Sequence, residues 1–125
     1  MDLPKGMDVY KKVDWQYYRN FKYSFGGLRI LLKTEKSFRL HVTIAIIVIA
    51  YSAYVQIERI YWVVLLMIIA LILSLEIFNS AIERLVDILA PRTHGLAKEI
   101  KDLLAAMVLL TSIFAAAIGL IVFLG

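Results

Sequence analysis

The chain has 125 residues, 62% hydrophobic and 19% charged, with 14 Lys and Arg against 10 Asp and Glu and no Cys. Soluble domains run nearer half apolar, so this composition excludes intrinsic disorder, while the missing Cys excludes a disulfide scaffold or a thiolate metal site. A net charge of +4 makes no case for a nucleic-acid partner, which leaves a one-domain, all-α integral membrane protein.

The first predicted element is a surface helix over 14–33. Tyr17, Phe21, Phe25, Leu28 and Leu32 recur at steps of four, four, three and four, which places them in one quadrant of a helix. Arg19, Lys22, Arg29 and Lys33 cluster about 115° away. That division suits a helix lying in the membrane plane, and equally an amphipathic helix packed on its neighbours. Gly26 and Gly27 weaken it by about 1 kcal/mol each relative to Ala, and would permit close approach of a ligand or a backbone. Residues 33–37 break the apolar pattern. Thr34 and Ser37 are candidate N-caps for the next helix, and Glu35 falls at the cytoplasmic rim. Residues 1–39 contain no signal-peptide pattern, so the first span is expected to stay in the mature protein.

Three spans follow, at 38–57, 60–89 and 97–124. The stretches Leu40–Ile57, Ile60–Leu75 and Leu103–Gly125 carry no charge at all. Crossing a hydrocarbon core about 30 Å thick takes roughly 20 apolar residues at 1.5 Å each, and the runs are continuous rather than alternating, which favours helices over a barrel. Nine of the Lys and Arg precede Leu40, four lie between spans two and three, and Arg59 alone lies between spans one and two. The N-terminus and the second connection are therefore expected in the cytoplasm. His41, at the head of span one, reads as a capping or interfacial residue.

Span two continues without Pro or Gly into Glu76-Ile-Phe-Asn-Ser-Ala-Ile-Glu-Arg-Leu-Val-Asp87. On a helix Glu76, Glu83 and Asp87 lie within about 20° of one line, flanked by Asn79 and Ser80. Two unit charges 6 Å apart cost about 3 kcal/mol at an effective dielectric of 20, and a membrane rim adds to this. Such a stripe needs protonation, a basic partner such as Arg84, Lys98 or Lys101, or a bound cation. A hard divalent ion shared with substrate phosphates describes Mg²⁺ with a nucleotide. The alternatives at this point are a paired rim helix, a proton or cation path, and a catalytic metal site. Pro91–Gly95 ends the helix, and a new one leads into span three with Lys101 and Asp102 at its membrane entry. Lys101 could meet a phosphate, but read alone it snorkels; His94 read alone is a solvated loop residue. The sequence has no Walker loop, no G-x-G-x-x-G opening a helix, no kinase catalytic loop and no nucleophile elbow.

The string Glu76-x-x-Asn79-Ser80-Ala81-Ile82-Glu83-x-x-Val86-Asp87 resembles the signature of the prokaryotic diacylglycerol kinase/undecaprenol kinase family. Gly27-Leu28-Arg29 through Glu35 and Phe38 resembles the family's first block, and His94 with Lys101-Asp102 its third; the resemblance runs from about Tyr17 to Gly125. It implies three transmembrane helices with an N-terminal surface helix, homotrimers with sites shared between chains, and residence in the bacterial inner membrane. It further implies ATP-dependent phosphorylation of a lipid alcohol. Glu76 would be the general base, and would also meet the lipid substrate beside Ser24 and Arg29. Glu35 and Glu83 would coordinate Mg²⁺ on the nucleotide phosphates. Tyr23, Asn79, Asp87, His94, Lys101 and Asp102 would serve the nucleotide. Two departures stand out: Leu103 and Leu104 where the family has small residues, and an extension over Met1–Val13. Thr34-Glu35-Lys36-Ser37-Phe38-Arg39-Leu40-His41 and Ser74-Leu75-Glu76 resemble the undecaprenol branch more, with diacylglycerol the second reading. The competing class is a small proton or cation conductor, or a non-catalytic membrane subunit, built on the same acids.

Overall fold

Apolar and small residues at alternating three- and four-residue steps should line one seam of each helix, and the computed structural model has this arrangement. It describes the backbone of residues 7–89 and 94–125, and the side chains of 20–89 and 95–125. The elements are α1 (Met7–Thr34), α2 (Lys36–Val55), α3 (Arg59–Leu89) and α4 (His94–Leu124), with no strand among the described residues. α2, α3 and most of α4 (Gly95–Leu124) are long and apolar enough to cross a membrane. The fold is thus all-α, three apolar helices preceded by an amphipathic one, as the charge pattern implies.

Contacts divide the chain into two compact units, Met1–Lys36 and Ser37–Gly125. The first is α1. Lys33 occupies its last turn, where a cation complements the helix dipole. The Glu35 amide donates to the Leu31 carbonyl at 2.8 Å as the helix closes. Phe21, Phe25, Leu28 and Leu32 are all exposed, and the Tyr17 side chain lies outside the described residues. A Cβ at Gly26 or Gly27 would meet nothing within 4 Å among the described residues.

In the second unit the seams are regular. On α2, Phe38, His41, Ala45, Val48 and Ser52 alternate by three and four, and each is buried or half-buried. On α3 the same rule holds for Leu65, Ile69, Ile72, Glu76, Asn79, Glu83 and Val86, and on α4 for Ala97, Lys101, Leu104, Val108, Thr111, Ala115, Ile118 and Val122. α3 and α4 approach each other most closely, as small residues such as Ala97 and Ala115 in a seam allow where lipid removes the hydrophobic drive. α2 ends at Val55; the following Gln56 has a left-handed φ of 56°, and the Ile57 amide returns to the Ser52 carbonyl at 3.3 Å. That is a Schellman closure with a non-glycine at the position glycine prefers.

α2 has 20 residues and α3 has 31. At 1.5 Å each these are about 30 and 46 Å long, so only α2 matches the hydrocarbon thickness. α3 must project by roughly ten residues. If a slab about 30 Å thick begins at Arg59 and the helix stands upright in it, Glu76, about 26 Å along the helix, falls inside the slab and Glu83 and Asp87 fall outside it.

Candidate active site

The carboxylate stripe of α3 is the continuation of its packed seam. Glu76 takes the seam position that Leu65, Ile69 and Ile72 take closer to the helix start, and it is 4% exposed. A carboxylate removed from water needs donors. Glu76 receives two, both on Oε1: the Ser37 hydroxyl at 2.8 Å and the His41 Nδ1–H at 2.5 Å. Its other oxygen, Oε2, is buried without a hydrogen-bond partner, and one turn on the Asn79 Oδ1 is in the same condition. Buried acceptors left unpaired are uncommon and costly, and two on one face of one helix turn mark a place shaped for something that brings donors or a cation.

Further along, Asp87 Oδ1 accepts from Lys101 Nζ at 2.6 Å, joining the outer end of α3 to the entry of α4. Glu83 is half-buried between these groups along the helix and adds its negative field at the Lys101 ammonium. Ser80 is buried and its carbonyl accepts from Arg84 at 3.2 Å, so this arginine reaches back along its own helix. Asp102 is exposed. On the far side of His41 from the acids, α2, α3 and α4 line an open cavity of about 550 Å³ whose lining is apolar except for His41 and Ser112.

The structure thus brings together Glu76, Asn79, Glu83, Asp87 and Lys101. Tyr23, Ser24, Arg29 and Glu35 belong to the other compact unit: Tyr23 and Arg29 are exposed, Ser24 donates to the Asn20 carbonyl at 2.7 Å, and Glu35 is the half-buried break between α1 and α2. The His94 side chain lies outside the described residues. Two expectations are corrected. Ser37 is not an N-cap: α2 begins one residue before it, and its hydroxyl goes to Glu76. His41 is not a capping or merely interfacial residue, because its ring is spent on the same carboxylate. Neither contact had a signal in the sequence, since the partners are 39 and 35 residues apart. Lys101 pairs with the stripe rather than snorkelling from it.

The model of the prokaryotic diacylglycerol kinase family matches residues 22–123. The chain belongs to that family. Among relatives, an undecaprenol kinase of Bacillus subtilis is 31% identical over 87% of this chain and 89% of its own length. A diacylglycerol kinase of Synechocystis is 33% identical over 87% of this chain and 65% of its own length. The diacylglycerol kinase of Escherichia coli K12 is 32% identical over 74% of this chain and 76% of its own length. Membership in the prokaryotic diacylglycerol kinase family makes this a membrane lipid kinase, a phosphotransferase, rather than a non-catalytic subunit.

Proposed function

We propose that this kinase transfers the γ-phosphoryl group of Mg²⁺-ATP to undecaprenol, with Glu76 as general base. The observation that carries the reading is the asymmetry of the Glu76 carboxylate: Oε1 holds two donors and Oε2 none, at the membrane end of the stripe. Oε2 accepts the proton of the lipid hydroxyl. The freed oxygen bonds to the γ-phosphorus as the bond to the β–γ bridging oxygen breaks, and ADP leaves with that electron pair. Asn79, Asp87 and Lys101, outward from Glu76, hold the nucleotide on the aqueous side together with Tyr23, His94 and Asp102. Ser24 and Arg29 meet the lipid head. The order of groups along α3 runs from water toward the bilayer, as a handover from a soluble donor to a membrane acceptor requires.

Carboxylate oxygens suit a hard cation, and Glu83 and Glu35 would hold Mg²⁺. The described residues contain no cluster of three or more metal-ligating side chains, and an ion completed by substrate phosphates needs only one or two carboxylates. Bound there, it neutralises charge on the transferring group. The N-terminus and the α3–α4 connection face the cytoplasm, from the Lys and Arg excess in those flanks, and the enzyme sits in the inner membrane as a homotrimer with shared sites. Diacylglycerol is the second acceptor reading, favoured by the family description and the Synechocystis and Escherichia coli relatives.

The experiment is transfer of labelled γ-phosphate in detergent micelles with each lipid in turn, with Mg²⁺ and with a chelator. Undecaprenol should give the higher kcat/KM, and the chelator should abolish transfer. A higher value with diacylglycerol overturns the acceptor assignment, and transfer to neither overturns the proposal.

A further inference from the structure

We infer that His41 is a positioning residue for the base, holding Glu76 through Nδ1 so that Oε2 faces the acceptor alcohol. The inference rests on the reading of Glu76 as base and extends it to a residue on another helix. A Glu side chain has three rotatable bonds, and one bond to Ser37 leaves its carboxylate free to swing about that contact. A second donor on the same oxygen, from a ring, removes the swing. His41 is suited to this: its side chain is 22% exposed, it occupies the α2 seam between Phe38 and Ala45, and Nδ1 lies 2.5 Å from Oε1. With Glu76 ionised, Nδ1 carries the proton and donates. Both donors spent on one oxygen leave the other as the accepting site, which is the division a base needs. The same ring borders the apolar cavity, so its Nδ1 contact with Glu76 is the polar contact that sets its orientation.

Position matters to rate because a misplacement of about 1 Å at a reacting group can cost 100-fold. Asn at position 41 places its amide nitrogen where Nδ1 stands, whereas Gln places its nitrogen where Nε2 stands. The atom that does the work is therefore testable with two uncharged, polar replacements of similar character.

The experiment measures kcat and KM for lipid and ATP in micelles for wild type, His41→Asn, His41→Gln, His41→Leu and Glu76→Gln, with thermal unfolding of each. Expected are a kcat within about threefold of wild type for Asn, and a loss of about 10- to 100-fold for Gln and Leu with KM for ATP unchanged. Wild-type kcat in Gln, or equal losses in Asn and Gln, overturns the positioning role. If Leu fails to fold, the Asn–Gln contrast decides alone. Glu76→Gln at wild-type turnover overturns the reading of the base itself. Loss in Glu76→Gln with full kcat in His41→Gln leaves the base in place and removes only His41.

Discussion

Replacing Asn79 by Leu should make the unliganded protein more stable and the enzyme worse. The Asn79 Oδ1 is buried without a hydrogen-bond partner, and a buried acceptor left unpaired costs about 1–3 kcal/mol. Leu has a similar volume, carries no polar atom and suits a half-buried seam position between Ile72 and Val86 on the same face. The unliganded variant should therefore gain about 1–2 kcal/mol, the lower part of that range, because the exchange also alters packing. The nucleotide should reverse the order. A ligand at 100 times its Kd stabilises the native state by about 2.7 kcal/mol. If the amide serves the nucleotide, the variant loses most of that gain. Thermal unfolding in detergent, with and without Mg²⁺-ATP, reads both signs, and a kinase assay reads the loss of activity. A less stable unliganded Asn79→Leu protein would refute the reasoning, since Oδ1 would then have a partner in the resting protein and no vacancy for a ligand.

Gln56→Gly should raise stability by about 0.5–1 kcal/mol in the same unfolding assay, because a left-handed backbone at φ 56° strains a side chain and not glycine. Kinase activity should not change, since Gln56 is at the opposite end of α3 from the acids. Lys101→Met should leave the unfolding temperature close to wild type, because the pair with Asp87 is exposed on both sides. Its KM for ATP should nevertheless rise at least tenfold if the ammonium faces phosphate, and an unchanged KM would make the pair purely structural.

The sequence was most legible where a pattern repeats. Charge-free runs announce three long apolar helices, and the spacing of Glu76, Asn79, Glu83 and Asp87 puts four polar groups on one helix face. What spacing along one helix could not reveal is which face that is. The alternating steps from Leu65 through Ile72 lead directly to Glu76, so the stripe occupies the packed seam and not the lipid-facing side, and this follows only once the neighbouring helices are in place. Ser37 and His41 were illegible for a related reason. A serine near a helix start and a histidine at a membrane rim each have ordinary local roles, and their partner is more than thirty residues away.

The most direct test of the mechanism is turnover of Glu76→Gln with saturating lipid and Mg²⁺-ATP. The amide keeps the size of the side chain and an oxygen for Ser37 and His41, and loses the negative charge and with it the capacity to take a proton. The account predicts a fall in kcat of about 100- to 10,000-fold with stabilisation by Mg²⁺-ATP retained. A kcat within a few-fold of wild type would show that the lipid proton leaves by another route.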